Sequence, residues 1–126
     1  MEIKKVNSDK RGEVCIIGRN TDEFLLISTN PTFKRGGETH HGPQFGYVLT
    51  GRMRLYLGNT THDMRSMVLK SSDTFTIAPG EIHWMEAIEP VLHIESITEY
   101  VESCPISNER HNKHYIPEIR NQISIG

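Results

Sequence analysis

Seven of the 126 residues are histidines, and two of them, His40 and His41, lie in a glycine-containing segment at residues 36–51. Residues two apart in an extended strand share a face, so Glu38 and His40 project together while His41 points to the other side. Gln44 follows His40 by four residues, an even spacing that corresponds to the same face of a continuous strand. A carboxylate and an imidazole on one wall are possible metal ligands.

A second segment, residues 78–83, ends in a histidine. Its proline-glycine pair predicts a tight turn that delivers His83 to the start of a strand. Further along, His93 and Glu95 share one face of a strand whose other face is apolar. This polar pair either faces solvent or enters a cavity, and both alternatives are open at this point. The ordinary pKa of histidine, about 6.5, suits proton transfer near neutral pH.

The elements that must position these groups are short β-strands. Between residues 13 and 98, apolar or alternating runs are separated by turn residues, and no helical period interrupts them. In residues 52–57, for example, Met53, Leu55 and Leu57 lie on one face. Strands recur about every 8–12 residues, a spacing typical of a sandwich or barrel.

The two ends of the chain differ from this central pattern. Apolar runs at residues 14–17 and 24–27 predict two strands that extend one sheet. After residue 98 the sequence becomes polar, and residues 107–122 predict one short helix that ends before Pro117.

Composition limits the class of protein. With 36% hydrophobic and 24% charged residues, the chain can build the core of one domain. A formal charge of −2 without a basic block argues against a nucleic-acid partner. No apolar run approaches the roughly 20 residues of a membrane span, and the first residues do not form a signal peptide, so we expect a cytoplasmic protein. Cys15 and Cys104 have neither zinc-site nor disulfide-scaffold spacing and receive no role.

Residues 36–51 resemble the first motif of the cupin superfamily, which is a glycine-led His-x-His, three or four residues, an acidic ligand, six further residues and a glycine. When Gly51 is aligned with the closing glycine, Gln44 occupies the acidic position, and His40 and Glu38 occupy the two histidine positions. The run from Gln44 to Gly51 is most similar to small pectin-degradation cupins, which use the glutamine as a metal ligand.

Residues 72–87 resemble the second cupin motif, glycine-aspartate, four residues, then Pro-x-x-x-His. Ser72 replaces the glycine, Asp73 matches the aspartate, and His83 takes the ligand position. We interpret Asp73 as a structural turn residue. The resemblance to cupins covers about residues 36–98, half of the chain.

This resemblance implies an all-β fold, a cupin double-stranded β-helix (jelly-roll) barrel. The expected organisation is a single cupin domain over residues 1–126, with motif 1 at about 36–51, motif 2 at about 72–87 and a C-terminal tail at 103–126.

The resemblance also implies a metal centre. Its side chains would hold a divalent Mn, Fe, Co, Ni or Zn ion, because a mixed nitrogen and oxygen set suits all five. The implied ligands are Glu38, His40, Gln44 and His83. Two alternatives remain: a bulge near residues 42–43 would make His41 the ligand in place of His40, and the same residues could form a metal-free polar pocket.

Catalytic roles follow only as hypotheses. In pectin-degradation cupins the strand equivalent to residues 91–97 supplies an acidic residue to the cavity, and His93 stands in its place here. We therefore assign proton transfer to His93 or Glu95. The favoured function is a metal-dependent enzyme acting on a small oxygen-rich metabolite, a sugar, uronate or keto acid, by isomerase- or lyase-type proton transfer.

Two other functions stay open, an Fe(II)-dependent dioxygenase and a non-catalytic cupin that binds a small ligand. The expected partners are a small-molecule substrate and a second copy of the chain, with no membrane involved. Small cupins that resemble this one commonly form homodimers, and the strands within residues 13–28 are the expected contact.

Overall fold

The computed structural model describes residues 2–19, 22–40, 42–96 and 113–115. These residues form β-strands and their connections. In chain order the strands are β1 (Glu2–Asp9), β2 (Gly12–Arg19), β3 (Asp22–Thr29), β4 (Lys34–His40), β5 (Gln44–Thr50), β6 (Arg52–Gly58), β7 (Met64–Lys70), β8 (Thr74–Ile77), β9 (Ile82–Ala87), β10 (Val91–Ser96) and β11 (Lys113–Tyr115). The described part of the chain contains no helix that could cross a membrane.

The strands make two antiparallel sheets. One sheet has the order β1-β2-β3-β10-β5-β8, and the other has the order β11-β4-β9-β6-β7. The larger apolar cluster draws residues from both sheets, including Val48 of β5 and Met53 of β6, each with no exposed surface. The inner faces of the two sheets therefore pack on each other, which confirms the predicted all-β jelly-roll.

Patterns of alternation predicted most strands correctly. The runs at 14–17 and 24–27 lie inside β2 and β3, which extend the first sheet beyond β10. The short helix predicted within residues 107–122 is wrong at residues 113–115, which form β11 and pair with β4. This pairing satisfies backbone groups along an edge of β4, whereas the helix signal in this polar stretch was only local. The rest of 107–122 lies outside the described residues.

The backbone conformation at two turn positions explains why the two motifs have glycine there. Gly51 has a φ of 86°, and a Cβ atom there would lie 2.1 Å from the carbonyl oxygen of Pro90. Ser72, where the second motif has glycine, has a φ of 77°. Its turn is held because the Asp73 Oδ2 accepts the Lys70 N–H at 2.9 Å. Serine is therefore tolerated in place of glycine at position 72, although the left-handed backbone conformation there disfavours any residue with a side chain.

We expect Ser72→Gly to raise the free energy of unfolding by about 0.5–1 kcal/mol, since relief of a left-handed cost of roughly 1–2 kcal/mol exceeds the added chain entropy of the unfolded state, about 0.4–1 kcal/mol. Urea denaturation measures this difference. The matched control is Ser72→Ala, which removes the hydroxyl but keeps the Cβ and should not stabilise the protein. Equal stability of the glycine and alanine variants would contradict the strain argument.

Candidate functional site

Polar side chains are buried at one end of the barrel interior. His40 ends β4, Gln44 begins β5, and His83 is the second residue of β9; each is at most 6% exposed. These positions lie beside an apolar core that includes Leu57, the ladder partner of His83. Burying polar groups in place of apolar ones costs free energy unless they are paired, so such a cluster needs a chemical reason.

The two motif histidines meet inside the barrel. The ring centroids of His40 and His83 are 5.0 Å apart, with their planes inclined by 35°. Two imidazoles that share one ion, with metal-nitrogen bonds of about 2.1 Å and an angle of about 90–110°, would have centroids about 4.5–5.2 Å apart. The observed spacing therefore fits a shared divalent cation.

A bulge in β4 brings His40 to the interior. Arg35 lies opposite Met85 of the core, and Gly36 opposite Trp84, but the next paired residue is Glu38, opposite His83. The skipped residue, Gly37, and its neighbour Gly36 have φ values of 85° and 101°, a conformation that glycine adopts without strain. Because one residue is inserted, an odd-numbered and an even-numbered position of β4 can both face inward.

The surroundings of the other predicted ligands differ from one residue to the next. The Gln44 Nε2 donates to the Ser96 carbonyl at 3.4 Å, and its Oε1 is buried with no hydrogen-bond partner among the described residues. The His83 Nδ1 is also without one within the same part of the chain. The backbone of Glu38 is opposite His83, whereas its side chain, like His41 as a whole, lies outside the described structure.

These donors fit a metal ion in part. Two imidazoles and an amide oxygen form a nitrogen and oxygen set of the kind that Mn²⁺, Fe²⁺, Co²⁺, Ni²⁺ and Zn²⁺ accept. The orphaned Gln44 Oε1 is a buried acceptor that a cation would satisfy. Within the described residues, no three His, Cys, Asp or Glu side chains form a ligand cluster by themselves. The metal centre therefore remains a proposal.

His93 and Glu95 enter the barrel. On β10 they lie opposite Val48 and Gly46 of β5, and Val48 is fully buried in the core. The His93 side chain is 1% exposed and the Glu95 side chain 15%, with 3.7 Å between His93 Nε2 and Glu95 Oε1. Their spacing of two residues predicted that they share a face of the strand. The pairing of β10 with β5 identifies this face as the inner one.

Glu95 is an ionised carboxylate in this environment. Burial raises the pKa of its carboxyl, but the interaction with His93 and the charges of His83 and His40 outweigh that effect and lower the pKa to about 2. The group thus holds a negative charge at neutral pH, within the electrostatic reach of both motif histidines.

Gly46 makes room for an aromatic wall beside His93. A Cβ atom at Gly46 would lie 2.0 Å from the Phe75 ring, which occupies that space. The Phe75 and His93 ring centroids are 6.1 Å apart, with the planes inclined by 55°. The glycine in the second part of motif 1 therefore shapes the surroundings of the polar pair.

Sequence reasoning missed Arg35. Its Nε donates to Thr29 Oγ1 at 2.9 Å and its Nη2 donates to the Ser28 carbonyl at 3.0 Å. Burial and, to a lesser extent, the charge of Arg11 lower the pKa of Arg35 to about 10, which leaves it cationic at neutral pH. Among the described residues, no carboxylate is close enough to form an ion pair with it. A cation inside the barrel could have been predicted only by locating the bulge.

Two other arginines considered for substrate binding lie elsewhere. Arg52 is exposed and pairs with Glu89 at 3.3 Å. Arg54 of β6 lies opposite Glu86 of β9. Along β6 it alternates with the buried Met53 and Leu55, so it faces outward. Neither belongs to the polar interior.

Neither a protein-family profile nor a curated protein matches this chain. Solved structures do match it. The capsular polysaccharide assembling protein CapF from Staphylococcus aureus aligns with a TM-score of 0.74 and 14% identity over 92% of this chain and 33% of that chain. A variant of oxalate decarboxylase OxdC from Bacillus subtilis aligns with a TM-score of 0.62 and 19% identity, covering 73% of this chain and 26% of that one. KdgF from Halomonas sp. has a TM-score of 0.60 and 20% identity, covering 73% and 82%.

The chain spans about a third of the length of CapF. Identities of 14–20% carry information on architecture, and the two antiparallel sheets agree with it. The chain therefore has the fold of the cupin superfamily.

Proposed function

We propose that this chain is a metal-dependent cupin enzyme that transfers a proton on a small oxygen-rich anion, in an isomerase- or lyase-type reaction. The observation that carries the proposal is the convergence of His40, His83 and the unsatisfied Gln44 Oε1 in a buried site with the ionised Glu95. A purely structural core would fill these positions with apolar side chains.

The proposed ligands are His40, His83 and Gln44, with Glu38 added by the resemblance to cupins. A bound divalent ion would supply a Lewis acid for a carbonyl or carboxylate oxygen. The amide oxygen of Gln44 is suited to this role because its nitrogen is already directed to the Ser96 carbonyl. His40, His83 and Gln44 are neutral ligands and the Glu38 carboxylate would add one negative charge, so a divalent ion would keep a net charge of about +1.

Glu95 is the proposed base and His93 its positioning partner. Glu95 is the more exposed of the two side chains within the interior, and it is ionised. Its carboxylate would take the proton from a carbon next to the substrate carbonyl, which leaves an enolate, or an enediolate where that carbon carries a hydroxyl group. Return of the proton to a neighbouring carbon gives isomerisation, whereas loss of a β-substituent gives elimination.

Arg35 favours an anionic substrate. Its positive charge lies on the inner face of β4, and two of its five N–H groups are used by Thr29 and Ser28. The remaining donors can bind a carboxylate, so we place uronates and keto acids ahead of neutral sugars. OxdC, one of the fold neighbours, is named for the dicarboxylate oxalate.

A dioxygenase remains a second candidate because two histidines and one carboxylate also compose the facial triad of non-haem iron enzymes. Oxygen uptake by the iron-loaded protein with a keto acid separates the two reactions. A non-catalytic binding protein would hold the anion without exchanging its protons.

We also propose a homodimer, formed through the outer face of the sheet that contains β1. Through the ladders, Ile3 is opposite Ile17, and Ile17 is opposite Phe24. Phe45 of β5 lies on the same face. Ile3, Phe24 and Phe45 are 68%, 44% and 56% exposed. An apolar face across several strands is uncommon in monomers, and a two-fold contact covers it on both copies at once.

The metal prediction is tested by elemental analysis and Co²⁺ titration of the purified protein. We expect one divalent ion per chain and a loss of at least tenfold in affinity for His83→Ala and Gln44→Ala, because each removes a ligand. His62→Ala, at an exposed turn, is the matched control and should bind like the wild type. Absence of stoichiometric metal in both measurements would refute the metal centre.

Proton transfer is tested by NMR, as exchange of the substrate α-proton in D₂O over a panel of uronates and keto acids. Glu95→Gln should slow exchange by about 10²–10⁴-fold, the usual contribution of a general base, without loss of bound metal. Glu86→Gln, which changes a glutamate on the outer side of β9, should leave the rate unchanged. Normal exchange in the Glu95 variant would exclude it as the base.

The dimer is tested by light scattering at micromolar concentration. Phe24→Lys should convert a dimer into a monomer because it places a charge in the apolar contact. Val68→Lys is the control, since Val68 is 45% exposed but belongs to the other sheet. A monomeric wild type, or a dimer that tolerates Phe24→Lys but not Val68→Lys, would reject the proposed face.

A further inference from the structure

The turn between β8 and β9 contains a buried carboxylate, Glu81, that has no part in the reaction proposed above. Its Oε1 accepts the N–H of Ala78 at 3.0 Å, and its Oε2 accepts a hydrogen bond from Arg65 Nη2 at 3.1 Å. The Glu81 side chain is 9% exposed, whereas that of Arg65 is 60% exposed. Both carboxylate oxygens are therefore engaged within the turn and its neighbour.

This turn leads into β9, which carries His83, and is hydrogen-bonded to the end of β4, which carries His40. The Gly80 N–H donates to the carbonyl of His40 at 2.8 Å, at the end of β4. The Glu81 N–H donates to the Ala78 carbonyl at 3.1 Å and closes the turn. His83 follows two residues later on β9. The turn thus fixes the backbone of one histidine and the starting direction of the other.

Hydrogen bonds hold the tip of this turn. A Cβ atom built at Gly80 would meet nothing within 4 Å, so the tip of the turn has no packing neighbour there. The β4–β9 ladder pairs Glu38 with His83 and has an irregularity just before this pair. His40 lies two residues further along β4, where the Gly80 hydrogen bond ties it to the turn.

We infer that Glu81 is a positioning residue that sets the separation of the His40 and His83 side chains. The carboxylate fixes the turn through Ala78, and the turn fixes His40 through Gly80. This inference rests on the proposed metal site, because ion affinity is the property most sensitive to the spacing of two ligands. Such supporting contacts typically change metal affinity by about 10–100-fold.

The experiment measures Co²⁺ affinity by calorimetry, the Co²⁺ absorption spectrum and hydrogen exchange of the Gly80 amide. Glu81→Ala should weaken Co²⁺ binding by about 10–100-fold, alter the spectrum and speed exchange at Gly80. Glu81→Gln keeps an acceptor for the Ala78 N–H and should restore most of the affinity. Arg65→Ala removes the partner of Glu81 Oε2 but leaves the hydrogen bond from Ala78 to Oε1 in place, so it should weaken Co²⁺ binding less than Glu81→Ala does.

The outcomes separate the two proposals. A wild-type protein that does not bind Co²⁺ refutes the metal site itself. A wild type that binds Co²⁺, with Glu81→Ala equal to it in affinity, spectrum and Gly80 exchange, overturns the role of Glu81. If circular dichroism shows that Glu81→Ala does not fold, Glu81→Asp decides: its shorter side chain cannot span the same distance to Ala78, and wild-type affinity in that variant would also overturn the inference.

Discussion

The candidate site depends on one constraint, that polar groups buried inside a small barrel must find partners. Apolar side chains such as Met53 and Val48 fill the core and stabilise the fold. At one end of the interior, imidazole, amide and carboxylate groups replace them, and some of their atoms have no hydrogen-bond partner among the described residues. An interior of this kind stabilises the fold less than an apolar one would, which is why we propose that it serves to bind a ligand.

Much of this arrangement could be predicted from periodicity and spacing. The alternation of residues located the strands, and parity correctly placed His93 and Glu95 on one face. Parity could not say which face was internal, since that depends on how the strand pairs with β5. Glycine positions in the motifs were also informative, because Gly51 occupies a left-handed turn.

The missing parts have a common physical cause. The inserted residue in β4 and the pairing of β11 with that strand are set by tertiary contacts, which a local pattern does not record. Arg35 escaped notice because its inward direction depends on the insertion. Glu81 escaped because its importance lies in hydrogen bonds to backbone groups distant from any recognisable motif residue.

The pairing of β4 has a consequence for the order in which the protein folds. Strands β1, β2 and β3 are sequential neighbours in their sheet and can pair as soon as they are synthesised. Strand β4, in contrast, pairs with β9 and β11, which follow it by a long stretch of chain. Contacts of high sequence separation form late, because loop closure must precede them. The strand that carries His40 is therefore among the last to pair with its neighbouring strands. A nascent chain can form the β1–β2 hairpin well before the candidate site is assembled.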